Sequence, residues 1–384
     1  MKPRVPAFLL LLFMFTWGCN KAGFNRLESA VQDNLVTFGS TEIPVELDYL
    51  VESNRVVIFG ETHYVQEHHD YISQLLHRYG PGGLCFFNEF PNAFNWMIED
   101  YINGESNHIT NSIRTLNHTW IEKIREINMS DGLPGPVQFI CMDVNHVRGD
   151  FKYSIREAEK LTGEQNLFAL IKILKEDEHA YLEELYDLQE IFILENETYL
   201  ESMGEKWFRR YQSLVDMELE SCRFRMTGEE PIRENTMFSI IQTTLSENPG
   251  IKAFINCGLY HAQKETMMGT QMVRIGALLS DTYPNTKSIC FVGIRGKRQH
   301  RFDDPEPVNF NILESAEKID LIRIMGSEAG AHLSLLLLED ETFRKEMDAT
   351  YTAGAVRVCP GKQFDAIISY PEITILESLS EYSY

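Results

Sequence analysis

The sequence predicts an α/β fold: a mainly parallel sheet flanked by helices, with a large helical insertion. Three observations carry this. Short apolar runs rich in Val, Ile and Phe alternate with segments whose apolar residues recur at helical spacing. The stretch 153–245 is charged, helical in pattern and nearly free of Gly and Pro until Gly228. Finally, acids and histidines follow one predicted strand after another. That is where ligand-facing residues sit at the carboxyl ends of parallel strands.

Taken in order, residues 19–50 read as a tether and a lead-in helix, and 51–384 as a single α/β domain. Arg55 to Phe59 is a β-branched apolar run closed by Gly60, a buried strand. Asp70 to Tyr79 places Ile72, Leu75, Leu76 and Tyr79 at helical spacing, and Gly80-Pro81-Gly82-Gly83 stops that helix. His68 and His69, just before it, add donors near the first strand's end, or on the blander reading form a solvent-exposed first turn. Leu84 to Phe87 is a second strand, Asn92 to Ile102 a helix, and Val137 to Met142 a third strand. Within the insertion, Leu182, Leu185, Leu188 and Ile191 fit an amphipathic helix. Strand character returns at Ile251–Ile255, Ser288–Gly293 and Asp365–Ser369, with a helix expected around Met267–Leu279. Such near-continuous apolar strands suit a sheet covered on both faces.

Composition narrows the function. With 57 acidic against 35 basic side chains, the formal charge is -22. A nucleic-acid or anionic-membrane binder needs a basic face, so neither is expected. The first residues differ from the rest. A basic start, Met1 to Arg4, precedes an apolar run from Ala7 to Trp17, too short for a comfortable membrane span. It ends at Thr16-Trp17-Gly18-Cys19, which resembles a lipobox. The expectation is a signal peptide over 1–18, a lipid on Cys19, export, and anchorage to a bacterial membrane. Asn20 is compatible with the outer membrane. The other six cysteines form no Cys-x-x-Cys pair and read mostly as small buried hydrophobes.

The chemistry collects at strand ends. Glu61 and His63 follow the first strand, Glu89 the second, Asp143 the third, and His261 the fourth. Each alone is as well explained by a helix cap, a turn or a solvated loop. Their recurrence places two imidazoles and three carboxylates on one cleft, the residue types of acid–base catalysis. Glu61, His63, Glu89 and His261 are also donors of the kind zinc or manganese takes, although no His-Glu-x-x-His helix is present. No Gly-x-Ser-x-Gly elbow, Rossmann glycine pattern or P-loop occurs.

These motifs, in this order, resemble the erythromycin esterase-like superfamily, which also takes in a haem-binding, ChaN-like lipoprotein family. The resemblance runs through Val56 to His63, Asn88-Glu89-Phe90 with Trp96 and Tyr101 to Gly104, Phe139 to Asp143, Arg233 to Met237, Ile255 to His261, and Phe364 to Ile368. It implies a metal-independent hydrolase of an ester or lactone in which His63 is the general base. Glu61 and Glu89 would orient it or hold the water, and His261, with Arg233, would face the carbonyl oxygen. The motif departs from the esterases: one residue, not two, separates Glu61 from His63, and Tyr64 follows where Gly is usual. Gly-Glu-x-His is nearer the haem-binding branch, which implies haem as the alternative ligand, with Tyr64 and Tyr260 as candidate axial residues. Either way the partner is a small-molecule substrate or ligand.

Overall fold

The structure is a computed structural model that describes residues 25–130, 132, 135–162, 177–266, 272–299, 307–314, 320–345, 347–349 and 356–376. Residues 1–18, expected to be a signal peptide, and Cys19 lie outside the described residues. Helix α1 (25–34) leads into strand β1 (Leu35–Phe38) and helix α2 (Val45–Glu52). Then come β2 (Val56–Glu61), α3 (Gln66–Tyr79), β3 (Leu84–Pro91), α4 (Asn95–Ile102), α5 (Asn111–Asn128) and β4 (Val137–Asp143). Among the described residues, α6 (Arg148–Thr162), α7 (Glu178–Leu194), α8 (Asn196–Thr227) and α9 (Glu230–Glu247) follow. The chain closes through β5 (Lys252–Gly258), α10 (Ile275–Thr282), β6 (Thr286–Gly293), the hairpin β7 (Arg295–Arg298) and β8 (Val308–Asn311), α11 (Asp320–Ala329), β9 (Leu333–Leu337), the pair β10 (Met347–Ala349) and β11 (Val356–Val358), and β12 (Ala366–Tyr370).

Eight of these strands form one sheet in the order β1-β9-β12-β6-β2-β5-β3-β4. From β12 to β4 every neighbouring pair is parallel; β9 and β1 are added antiparallel at one side. Successive side chains of a strand point to opposite faces, and the apolar residues follow that rule. Val57, Phe59, Phe86, Phe254 and Phe291 enter one core, under α2 to α8. Val56, Ile58, Phe87, Ile255 and Val292 enter the other, under α9, α10 and α11. Each fully buried Phe or Ile stabilises the fold by about 1.5–3 kcal/mol relative to exposure.

The six predicted strands are all present, each extending one to four residues past one expected end, and three of them (β2, β5 and β12) starting one residue later than expected. Differences lie elsewhere. The segment expected to be a tether supplies β1, which pairs with β9. β9 itself, Leu-Ser-Leu-Leu-Leu, carries leucines that favour helix as readily as strand. The helix expected near Met267–Leu279 begins at Ile275, and residues 267–271 lie outside the described set. The helix α5 has no counterpart in the sequence expectation. Cys85, Cys141, Cys222, Cys257 and Cys290 are free and buried, as expected; Cys359 is partly exposed. Among the described residues no helix is long and apolar enough to cross a membrane.

Candidate active site

The carboxyl ends of β2, β5, β3 and β4 lie side by side, so the residues that follow them meet. β5 sits between β2 and β3, although it comes last of the four in the chain. That order brings His261 between the Glu61–His63 turn and Glu89. At β3 the pairing with β4 slips: Asn88 faces Cys141 but Pro91 faces Asp143, one extra residue on β3. Bulges of this kind re-aim a side chain, and here the irregularity spans Glu89 and Phe90.

The two histidines are held alike. Glu61 Oε1 lies 2.9 Å from His63 Nδ1. Glu234 Oε1 lies 2.6 Å from His261 Nδ1. Each imidazole therefore gives Nδ1 to a buried carboxylate and keeps Nε2 for the other side. His261 Nε2 is 3.4 Å from Glu89 Oε1. His63 Nε2 packs against the backbone of Gly258, where a Cβ would stand 2.8 Å from it and 3.3 Å from Glu89 Oε2. Only glycine lets the ring lie there. Gly60 does the same on the other side: a Cβ on it would be 2.7 Å from the Cβ of Ala262, so the His261 loop could not close on β2.

Glu89 is the centre of the group. Its Oε2 accepts from the amide of Gly258 and its Oε1 from Arg233 Nη2. Arg233 then grips Asp143 with two bonds of 2.7 Å, from Nε to Oδ1 and from Nη2 to Oδ2. Asp143 Oδ2 also lies 2.8 Å from His146 Nε2. Glu234, besides holding His261, accepts from Arg274 Nη1 at 2.7 Å and from the amide of Ile275 at 2.8 Å. Glu61, Asp143, Glu234 and His261 are buried, whereas His63 keeps 44% of its side chain exposed. The open face of the site is thus the face of His63.

Charges follow from this packing. Burial works against the imidazolium of His63, but the hydrogen bond to Glu61 and the charges of Glu89 and Glu61 outweigh it and raise it to about 9. His261 is likewise lowered by burial but raised more by Glu89 and Glu234, to about 10. Burial would raise Glu89, yet His261, Arg233 and His63 hold it well below the usual carboxylate range. Glu61 and Glu234 are held down against burial by their histidine partners. Near neutral pH the site is an array of alternating charges: two imidazoliums and the guanidiniums of Arg233 and Arg274 among four carboxylates.

The structure thus brings together the predicted Glu61, His63, Glu89, Asp143, Arg233 and His261. Tyr64 adjoins His63, half-buried, with a left-handed backbone (φ 64) rare for a side chain of that size. Tyr260 adjoins His261 and is 37% exposed. Among the described residues no group of three or more His, Cys, Asp and Glu is arranged to hold a metal ion; the carboxylates are already turned to Arg233 and the imidazoles. One reading is corrected: His68 and His69 are buried, at 1% and 4% exposure, not solvent-facing. His69 stacks on Trp120, and burial lowers it to about 3. Glu234 has no site role in the sequence reading and His68 enters it only as a further donor, yet helical spacing marks both. His68, Ile72 and Leu75 share one face of α3, and Glu234, Met237 and Ile241 share one face of α9. A separate groove of about 430 Å³ runs along β4, lined by Asn95, Gln138, Ser239 and Thr243 among others, and includes none of these histidines.

No family model matches the sequence, and no curated protein matches it. Solved structures do. A protein from Bacillus cereus superposes with a TM-score of 0.71 at 16% identity, over 92% of this chain and 99% of that one. A mutant of the erythromycin esterase EreC in its open conformation gives 0.65 at 14% identity, over 89% and 98%. A succinoglycan biosynthesis protein gives 0.67 at 12%, over 91% and 97%. At these identities the likeness is one of fold, and the fold is the one the motif order implied.

Proposed function

We propose that this protein is a metal-independent hydrolase of an ester or lactone-like bond. The observation that carries the reading is the pair of Glu–His couples, Glu61–His63 and Glu234–His261, each holding its imidazole by Nδ1 and turning Nε2 to the side of Glu89. Likeness of fold to an esterase agrees with it. His63, the exposed member, takes the proton from a water when its ring is neutral. Glu61 holds its Nδ1–H and so presents Nε2 as the base. Glu89 orients the water, and the hydroxide oxygen attacks the carbonyl carbon. His261, an imidazolium, faces the developing oxyanion. Arg233 directs three hydrogen bonds at carboxylates, so its part is chiefly to fix Glu89 and Asp143. As the tetrahedral adduct collapses, His63 returns the proton to the departing alkoxide, giving acid and alcohol.

The test is a panel of esters and lactones offered to the full chain and to a His63→Ala variant. The wild type is expected to hydrolyse at least one, with the variant slower by about a hundredfold or more. Equal rates, or no hydrolysis by either, overturn the reading. Haem is the second reading, because Tyr64 and Tyr260 each adjoin a site histidine. The groups around those histidines are charged, which suits a polar reaction centre better than the face of a porphyrin. A Soret shift on titration with micromolar haem would favour it. Export and lipid anchorage through Cys19 belong to the same proposal: labelled palmitate in the wild type, lost in Cys19→Ala, is the expected result.

A further inference from the structure

The couple at His63 does not end at Glu61. Glu61 Oε2 lies 2.9 Å from His68 Nε2. The same nitrogen lies 2.8 Å from Asn256 Oδ1, and Asn256 Nδ2 donates to Asn88 Oδ1 at 3.1 Å. Two acceptors therefore face one ring nitrogen, so Nε2 carries the hydrogen. It is aligned on Asn256, which leaves Glu61 Oε2 buried with no well-aligned hydrogen bond. His68 Nδ1 is also without a partner. The ring is 1% exposed and boxed edge-on by Phe291, with Trp120 and His69 beyond. Such a histidine is costly to bury merely for packing, since a leucine or phenylalanine would fill the space.

We infer that His68 is a positioning residue: it shares its Nε2–H between Asn256 and Glu61, and so fixes the carboxylate whose other oxygen orients His63. The inference rests on the hydrolase reading for its bearing on rate, but not for the carboxylate it controls. His68 approaches Glu61 from α3 and His63 from the loop. His69 on α3, Cys257 on β5 and Tyr370 on β12 also sense its charge. None of these last three is in hydrogen-bonding contact with it. Removing the donor at His68 leaves a buried carboxylate with one partner, so its affinity for a proton must rise.

The test uses carboxyl ¹³C NMR on the full chain with labelled glutamate, the Glu61 signal being assigned by its loss in Glu61→Gln. In the wild type Glu61 is expected to stay ionised down to acid unfolding. In His68→Phe, which keeps a ring and removes the donor, it should titrate at least about one pH unit higher. His68→Leu gives the same reading should the Phe variant fail to fold. His68→Gln, whose amide can place a donor near the same point, should restore the wild-type curve. An unshifted Glu61 in the donor-free variants, or a Gln variant as displaced as they are, overturns the inference. On an active ester, His68→Phe should lower kcat about 10- to 100-fold with KM little changed. A wild type inert towards every ester sinks the hydrolase reading alone, because the carboxyl titration still reports on His68.

Discussion

At the residue scale the site is a set of histidines kept charged by buried acids. This has a direct consequence for pH. With His63 raised to about 9, only roughly one ring in a hundred is neutral at pH 7. A base that works in its neutral form should give a kcat/KM that climbs about tenfold per pH unit and levels off near 9. A pH–rate profile from 6 to 10 checks this; a flat profile through that range would remove His63 from the role of base. Part of the residue-scale picture is legible in the sequence. Glu61, His63, Glu89, Asp143 and His261 announce themselves by following apolar runs. Glu234 and His68 are harder, because each is a polar residue on an otherwise apolar helical stripe, and a single sequence gives no reason to prefer a functional residue there to a tolerated one.

At the element scale, strands deliver the site and glycines let it close. The slip in pairing between Asn88 and Pro91 and the bare backbone of Gly258 are both properties of strand ends, and the second controls where Nε2 of His63 can lie. Gly258→Ala should therefore damage function more than fold. Its methyl would sit 2.8 Å from His63 Nε2, and the exposed ring can swing away into solvent. Hydrolysis is expected to fall about tenfold or more, with a stability loss of about 1 kcal/mol. Activity and thermal melts of the one variant decide it. If the melt collapses while the residual folded protein keeps its rate, the close approach is structural only. The strands themselves were readable because β-branched and aromatic runs have few other uses. β9 was not, since a leucine run carries no period that separates strand from helix.

At the scale of the whole molecule, the helical insertion is part of the site's support. Helix α9, at its end, carries Arg233 and Glu234 into the cleft. Helix α8 clamps the loop after β4: Arg225 Nη1 donates to the carbonyl of Asn145 at 2.8 Å and Nη2 to the fully buried Glu218 at 2.7 Å. Asn145 Nδ2 and the hydroxyl of Tyr181 complete Glu218. Arg225→Ala would leave that carboxylate without its cation, at a cost of about 3–5 kcal/mol. Hydrogen exchange should then rise in residues 143–148 and along α8, and a variant that exchanges like the wild type would show that the clamp is dispensable.

What the sequence determined by itself is the class of fold, the strands that carry the site, and the residues waiting at their ends. Periodicity and side-chain chemistry are local properties, and they survive without knowledge of neighbours. Only the tertiary structure decided that β5 lies between β2 and β3, that Glu89 is turned inward, and that His261 is paired to Glu234. Fully buried parallel strands are alike in their apolar surfaces and offer the same backbone groups on both sides. Their order is settled by how many side chains interlock across the two cores at once. The Gly60-Glu61-Thr62-His63 turn could be found by reading along the chain, but its partners became partners only when the sheet was assembled.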